Sequence, residues 1–496
     1  MPSILTDFNV RPYEDVPAQI IELSVPDAAA PKHCPIQLLY WPVEGKSNFI
    51  RGYENLKDGL SRLLADVPVL VGRLERGSKG DPRYLAVTIS SDASVELEYE
   101  DISADDTIAS YDDLVRNGFP TTGFKDIVSP KMSLGPMVEG SPMMCAKLNL
   151  IKGGAILAYG FSHVLADGWA NSELGRLWAL HAAHVSQGIG FERQKAATPD
   201  DEIRRQLSTL PDFDADAPLD AFLQITPSEE ATNFLHKDVL AAEKAKKKAR
   251  EKMMATLLAA GEVPELPRFT FWRFTPEKLK ELKQAATSSD ASKWISTMDA
   301  LAGLFWSRIA RIQGQSSNGH QQSRCIFALD IRRRLQQPVP LAYVGNVFSP
   351  VDAICPLDEL ESDSLGLKAA AQSMRQANKG WTQPRWEAWL NKIMSLPLDQ
   401  TLDTSQEFRL QKHNMYFNDY SAFQLNTASW GAPFGQPART RCLRSGLAGG
   451  AAGVWVCPKF PDGSLEVWLT STAAIQKSLF EDATFNRYAE FVCQYT

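Results

Sequence analysis

Apolar residues near the start of the chain follow two different spacings. Residues 36–41 form a short run that is almost wholly apolar, which predicts a buried strand. Leu56, Leu60, Leu63 and Leu64 then follow at spacings of four, three and one. This spacing places the leucines on one face of a helix, so a strand followed by an amphipathic helix is expected here.

The same alternation recurs around His163. Residues 155–162 are mostly apolar and have the length of a buried strand, which ends at His163. Asp167 and Gly168 then break the pattern, and residues 169–185 carry apolar side chains at helical spacing. His163 is therefore predicted to lie where a buried strand passes into a helix, a position at which scaffolds often present reactive groups.

The second half of the chain repeats this mixture after a long connection. Residues 186–270 contain prolines, an acidic run at 212–216 and a basic run at 243–252; such a basic run is more typical of a solvated helix face than of an anion site. A helical spacing follows at 298–312, and strand-like runs occur at 325–329, 454–457 and 465–470.

These patterns predict an α/β fold with two mixed halves. We expect an N-terminal domain over residues 1–190 that carries His163, a crossover linker over 191–270 and a C-terminal domain over 271–496. A chain of 496 residues is long enough to bury a large core, so the fold needs no disulfide or metal to hold it together.

Composition narrows the classes of function. The formal net charge of −7 argues against a general nucleic-acid binder, although a local basic patch for a phosphate-bearing ligand remains compatible with it. The seven cysteines are odd in number and far apart, which disfavours a disulfide framework and a zinc ribbon, and no metal is predicted. Without a run of about 18 apolar residues or a signal-peptide pattern, we expect a cytoplasmic protein with no membrane span.

His163, Asp167 and Gly168 form the most distinctive local pattern, H-x-x-x-D-G. Histidine suits proton transfer because its ordinary pKa, about 6.5, lies near neutral pH. In a helix Asp167 would lie beside His163 and could orient it, whereas at a strand end it could point away towards an arginine. The same residues also fit a buried histidine followed by a helix-capping aspartate, and spacing alone leaves these alternatives open.

Five segments in order along the chain resemble the motifs of the BAHD-type CoA-dependent acyltransferases, relatives of chloramphenicol acetyltransferase and of the condensation domains of peptide synthetases. They lie at residues 56–74, 163–168, 295–306, 330–346 and 429–437. The last segment is closest to the variant found in fungal members. It departs from the family because Ser429 or Thr427 stands where an aspartate is usual.

The resemblance implies two chloramphenicol-acetyltransferase-like domains, each a mixed β-sheet flanked by helices, with a channel between them. CoA and the acceptor would enter from opposite faces and meet at His163. The family's aspartate pairs with an arginine away from the reacting centre, which implies that Asp167 is structural and that Arg332, or as second choice Arg334, is its partner.

Three further residues receive roles from the resemblance. Trp430 is expected to shape the channel and to help an oxyanion donor, although a core aromatic is equally compatible. Ser296 and Thr297 precede a helix and correspond to the segment where the family places CoA; a plain helix cap would look the same.

The implied function is transfer of an acyl group, acetyl by default, from acyl-CoA to a hydroxyl or amine of a small secondary metabolite. His163 would act as the general base in a ternary complex, in a monomeric enzyme with no permanently bound cofactor. Two alternatives remain. Condensation domains use a carrier-bound acyl chain but have a second histidine where this chain has Ser162. A diverged, non-catalytic ligand-binding protein is the other.

Overall fold

The computed structural model describes residues 8–77, 84–121, 125–131, 137–194, 200–211, 223–227, 248, 251, 255, 268–290, 292–314, 321–397, 400–405, 408–409, 411–443 and 451–495. The acidic run at 212–216 and most of the basic run at 243–252 lie outside these residues. No helix in the described residues is long and apolar enough to cross a membrane.

Strands and helices alternate along the described chain. The strands are β1 (Asn9–Val10), β2 (Gln19–Glu22), β3 (Ile36–Pro42), β4 (Arg73–Arg76), β5 (Leu85–Ile89), β6 (Val95–Asp101), β7 (Met144–Ile151), β8 (Gly154–Phe161), β9 (Leu223–Pro227), β10 (Arg268–Phe274), β11 (Gln322–Asp330), β12 (Phe348–Pro356), β13 (Gln400–Thr404), β14 (Met415–Asp419), β15 (Arg439–Leu443), β16 (Ala452–Val456), β17 (Leu465–Ser471) and β18 (Glu490–Tyr495). The helices are α1 (Val25–Ala29), α2 (Lys46–Asp66), α3 (Tyr111–Arg116), α4 (Lys125–Val128), α5 (Gly168–Ser186), α6 (Asp201–Ser208), α7 (Pro276–Ala286), α8 (Thr297–Gln313), α9 (Leu357–Glu361), α10 (Gly366–Lys379), α11 (Gln383–Ser395), α12 (Ala473–Glu481) and α13 (Ala483–Asn486).

The first half is built on a mixed sheet with the strand order β1-β6-β7-β8-β3-β15 among the described residues. β6 and β7 are parallel, and the other neighbours are antiparallel. Leu39 and Leu157 face α2 and α5, whereas Tyr40 and Ala158 pack beside α3 on the opposite face. Because both faces are covered, β8 is apolar throughout and β3 is apolar except at Gln37, as the sequence pattern predicted.

A second mixed sheet forms the other half, with the described strands in the order β12-β11-β14-β16-β17-β10-β18. Helices α8 and α10 cover one face and approach closely at Gly303, where a Cβ atom would lie 2.9 Å from the amide nitrogen of Ala371. Phe271, Trp455 and Trp468 form an aromatic cluster on the opposite face. The two mixed sheets flanked by helices confirm the predicted fold class.

Strand β15 joins the two halves in a way that the sequence pattern did not indicate. It comes from the second half of the chain but pairs antiparallel with β3 in the first sheet. Its buried Arg441 donates to Glu466 of β17 at 2.7 Å, which ties the first sheet to the second. The domain boundaries predicted at residues 190 and 270 stay a prediction. The predicted C-terminal domain, residues 271–496, includes β15, although this strand belongs to the first sheet.

The stretch expected to be connecting chain contains regular structure where it is described. Helix α6 is capped by Asp200, whose side chain accepts from the amides of Glu202 and Ile203, and it buries Leu207. Strand β9 pairs with β13. Both elements are too short for their apolar spacing to stand out in the sequence.

Candidate active site

His163 lies two residues after Phe161, the last residue of β8, and two hydrogen bonds hold its backbone. Its amide donates to the carbonyl oxygen of His33 at 2.9 Å, and its own carbonyl accepts from Nδ2 of Asn346 at 2.8 Å. The half-buried imidazole lies beside the rings of His33 and Phe348, with centroid distances of 5.2 and 6.0 Å. The ring is therefore presented from a backbone segment fixed by both halves of the molecule.

Asp167 caps helix α5 and turns its carboxylate towards Arg332. Its Oδ1 accepts from the amide of Ala170 at 2.9 Å, and the Arg332 guanidinium donates to both carboxylate oxygens, at 2.7 and 3.0 Å. The amide of Val347 adds a bond of 2.9 Å to Oδ2. Burial alone would raise the pKa of Asp167, but the charge and hydrogen bonds of Arg332, together with the amide bonds from Ala170 and Val347, outweigh it and hold that pKa below its usual value.

Arg334, the second choice as partner of Asp167, lies elsewhere. It is exposed and donates to the backbone carbonyl and side-chain oxygen of Asn378, both at 2.6 Å. Arg332 is fully buried and also donates to the carbonyl oxygen of Gly345 at 3.1 Å. The buried pair therefore links the segment after His163 to the second half.

A cavity of about 620 Å³ opens beside the imidazole of His163. Its wall comes from both halves: His33 and His163 from the first, and Phe327, Phe348 and Met374 from the second. About half of the residues in this wall are aromatic or apolar, and the others are polar or charged. Such a concave wall suits a small molecule that itself carries polar groups.

Ser296 and Arg375 also line this cavity. Ser296 caps helix α8, and its amide donates to the carboxylate of Asp299 at 2.6 Å. Arg375 donates to the same carboxylate through Nε at 2.7 Å. Thr297 is the first residue of α8 and is not among the described residues that line the cavity. The Asp299 carboxylate therefore engages both the Ser296 amide and the guanidinium of Arg375.

Trp430 lies away from the cavity wall. Its side chain is 1% exposed and packs against Trp41 and Trp178 in the core of the first half, with ring centroids 5.8 and 5.4 Å apart. The next residue, Gly431, has φ of +74° and passes so close to α5 that a Cβ atom would lie 2.3 Å from Oγ of Ser186. This turn directs the indole into the core, so its position does not support the expected role at an oxyanion.

Two contacts of this site have no counterpart in the sequence argument. His33 lies in the loop before β3 and carries no motif that would connect it to His163. Asp27 accepts from the side chain of Asn346, which belongs to one of the resembling segments. The only sequence signal for Asp27 is the Ser24-x-x-Asp27 spacing of a helix cap. Among the described residues, no group of acidic, histidine and cysteine side chains could hold a metal ion.

Two helix-flanked mixed sheets with an imidazole in the cavity between them define the two-domain acyltransferase architecture. The model of the Transferase family matches residues 4–474, so the chain belongs to this family, that of the BAHD acyltransferases. This confirms the family identified from the sequence motifs.

The relatives agree with this assignment. The chain is 88% identical over 496 residues to the acyltransferase clz6 of Cochliobolus lunatus, with all of both chains covered. The structure of TRI101 from F. graminearum complexed with coenzyme A and T-2 mycotoxin matches with a TM-score of 0.72 at 19% identity, covering 96% of this chain and 100% of that one. Vinorine synthase matches with a TM-score of 0.60 at 14% identity, covering 95% and 94%. At such identities these two structures show the fold.

Proposed function

We propose that this chain transfers an acyl group from acyl-CoA to a hydroxyl or amine of a small secondary metabolite, with His163 as general base in a ternary complex. Acetyl is the default donor group. The fungal relative at 88% identity is named an acyltransferase, and the matching TRI101 structure holds coenzyme A together with a small mycotoxin. Both facts support a CoA donor and a small-molecule acceptor.

The observation that carries the proposal is the position of the His163 imidazole on a cavity shared by both halves. A cavity with walls from two sheets can hold a donor and an acceptor at once. The carboxylate of Asp167 is engaged by Arg332 and by two backbone amides, so it is not available to take a proton from the ring. Two imidazoles, those of His163 and His33, line the cavity and are of the type suited to exchange a proton near neutral pH, and the family motif favours His163 for this role.

The reaction follows in two steps. The imidazole of His163 takes the proton of the acceptor O–H or N–H while the acceptor atom attacks the thioester carbonyl. The tetrahedral intermediate then collapses, the carbon–sulfur bond breaks, and the imidazolium returns its proton to the departing thiolate of CoA. General acid–base catalysis of this kind contributes about 10²–10⁴-fold, and holding the two substrates together contributes further.

CoA is proposed to bind in the part of the cavity lined by Ser296 and Arg375, with Thr297 next to Ser296 in the chain but outside the wall. Arg375 and Ser296 both line the cavity, and Arg375 offers a guanidinium that can reach a phosphate. Because the carboxylate of Asp299 partly neutralises Arg375, CoA binding should depend on the geometry of the guanidinium as well as on its charge. Replacing Arg375 by lysine would therefore weaken CoA binding and leave the turnover rate with saturating donor nearly unchanged.

The test is a comparison of wild-type protein with H163A, assayed by release of the CoA thiol in the presence of candidate acceptors. H163A should lose at least about 10²-fold in turnover while it still binds CoA in a calorimetric titration. H184A, which changes a histidine of α5 that does not line the cavity, serves as the control and should remain active. Near-full activity of H163A would refute the role of His163.

A parallel assay separates the alternative donor. Acetyl-CoA and acetyl-loaded carrier protein are supplied in turn to the wild-type chain. The proposal expects product with the CoA thioester; product with the carrier protein alone would identify a condensation-type enzyme instead. Binding of CoA without product from any thioester would favour a non-catalytic relative.

A further inference from the structure

We propose that Asp27 and Asn346 form a positioning pair that fixes the backbone of His163 and so aims its imidazole into the cavity. This inference rests on the proposed function, because it assigns a role relative to His163 as the base. Neither residue is among the described residues lining the cavity, so neither would touch a substrate. Their effect would be transmitted through the main chain of His163.

The first link is local. Asp27 lies in the short helix α1, and its Oδ2 accepts from the hydroxyl of Ser24 at 2.6 Å and from the amide of Ser24 at 3.1 Å. Ser24 Oγ in turn accepts from the amide of Asp27 at 3.4 Å. This reciprocal cap holds the carboxylate in one orientation and leaves its second oxygen, Oδ1, directed away from the helix.

The second link crosses the molecule. Oδ1 of Asp27 accepts from the backbone amide of Asn346 at 2.7 Å and from its side-chain Nδ2 at 2.9 Å. The same Nδ2 donates to the carbonyl oxygen of His163 at 2.8 Å. A single fully buried carboxamide thus connects the N-terminal helix to the histidine backbone.

The turn that carries Asn346 is held at two consecutive amides. The amide of Asn346 donates to Asp27, and the next amide, that of Val347, donates to Asp167. The carbonyl oxygen of Gly345 accepts from Arg332. Because the backbone is held at Gly345 and at Val347, the Asn346 side chain has little conformational freedom. The position of its Nδ2 relative to the carbonyl oxygen of His163 is therefore restricted.

Burying the carboxylate of Asp27 costs free energy of folding, and a helix cap does not need a buried carboxylate. Asp27 is 2% exposed, and no cation among the described residues forms an ion pair with it. Ser110 and Asp113 form the same kind of cap on α3, yet that cap lies near the surface and Asp113 forms an ion pair with Arg116 of the same helix. Four hydrogen bonds, two of them from Asn346, are what compensate the buried carboxylate of Asp27.

The test compares D27N, N346A and the double variant with wild type, and D113N provides the matched control. D27N keeps the shape of the side chain but directs an NH₂ group at donors that need an acceptor. We expect D27N and N346A to lower kcat by about 10²-fold, because a displacement near 1 Å at the reacting group has an effect of that size. KM for both substrates and the affinity for CoA should change little. The double variant should lose no more than the worse single variant.

Hydrogen exchange gives a readout that does not depend on activity. The amide of His163, bonded to His33, should exchange faster in D27N and N346A, as should the amides of the turn at 345–347. D113N should leave both segments unchanged. If D27N does not fold, N346A carries the same test.

Two outcomes separate failure of this inference from failure of the proposed function. If H163A keeps full activity, the base assignment fails and the positioning role fails with it. If H163A is inactive while folded N346A and D27N keep the wild-type kcat, only the positioning role is overturned. The positioning role would also be overturned if the loss of activity came from a raised KM with kcat unchanged, or if the losses of the two single variants added in the double variant.

Discussion

Asp167 and Asp27 hold neighbouring amides of the same turn, but the two buried carboxylates are neutralised in different ways. Asp167 faces the guanidinium of Arg332, whose charge and hydrogen bonds lower its pKa despite burial. Asp27 faces a carboxamide and a hydroxyl, and burial raises its pKa even though four hydrogen bonds oppose the rise. The junction between the halves is thus crossed once by an ion pair and once by hydrogen bonds from an uncharged partner, and the two contacts should respond differently to substitution and to pH.

The largest effect is expected from R332A, which would leave the Asp167 carboxylate buried without its cation. Breaking a buried pair in this way costs about 3–5 kcal/mol. R334A, at the neighbouring exposed arginine, should cost less than about 0.5 kcal/mol. Urea unfolding of the three proteins measures both values, and equal stabilities for R332A and R334A would contradict the role assigned to the buried pair.

The next effect separates the two carboxylates directly. D167N removes the charge that balances Arg332 and should cost about 3 kcal/mol at neutral pH. D27N leaves no buried cation without a partner, so it should lower the free energy of unfolding by only about 1 kcal/mol, the effect of an impaired hydrogen bond. Urea unfolding shows which of the two variants loses more stability. A larger loss in D27N would show that Asp27 contributes more to the stability of the fold than Asp167.

The pH dependence of stability should differ in sign between the two residues. Asp167 has a lowered pKa in the folded protein, so its contribution is complete above the ordinary value of 3.8 and is lost as pH falls through the lowered pKa. Asp27 has a raised pKa, so the folded protein binds a proton more readily than the unfolded chain. Lowering the pH from neutral towards 3.8 therefore stabilises wild type through Asp27.

The measurement is the free energy of unfolding of wild type, D27N and D167N between neutral pH and the ordinary carboxyl pKa. The difference between wild type and D27N should widen as pH falls across this range. The difference between wild type and D167N should stay constant there and narrow only at lower pH. Parallel pH profiles for the two variants would mean that their carboxylates have similar environments.

The smallest effect is expected from S24A, which removes the two hydrogen bonds of the Ser24 hydroxyl with Asp27 and keeps both bonds from Asn346. Loss of such a cap costs about 1 kcal/mol. S110A, in the matching cap on α3, should cost the same. Turnover should stay close to that of wild type in both variants; a strong loss in S24A would shift the positioning role from Asn346 to the cap.

Local spacing was sufficient to predict much of the fold. The apolar runs and leucine spacing predicted β3, α2, β8 and α5 because each pattern reflects burial of one short segment. The exchange of β15 into the first sheet depends on pairing between residues about 400 positions apart, and no local pattern records that.

The candidate site shows the same division. The motifs identified His163, Asp167 and Arg332, which the structure brings together. Trp430 was expected near the channel, but the path of the turn at Gly431 directs its ring into the core. The contact between Asp27 and Asn346 spans 319 positions, so the sequence showed two separate polar residues rather than a pair.

The central claim is that His163 exchanges protons with substrates bound in the cavity between the halves. A crystal structure of the chain with coenzyme A tests it most directly. The account predicts the CoA thiol inside the cavity, within about 3 Å of an imidazole nitrogen of His163 or linked to it through one water. A thiol bound outside the cavity, or separated from the ring by the protein wall, would contradict the account.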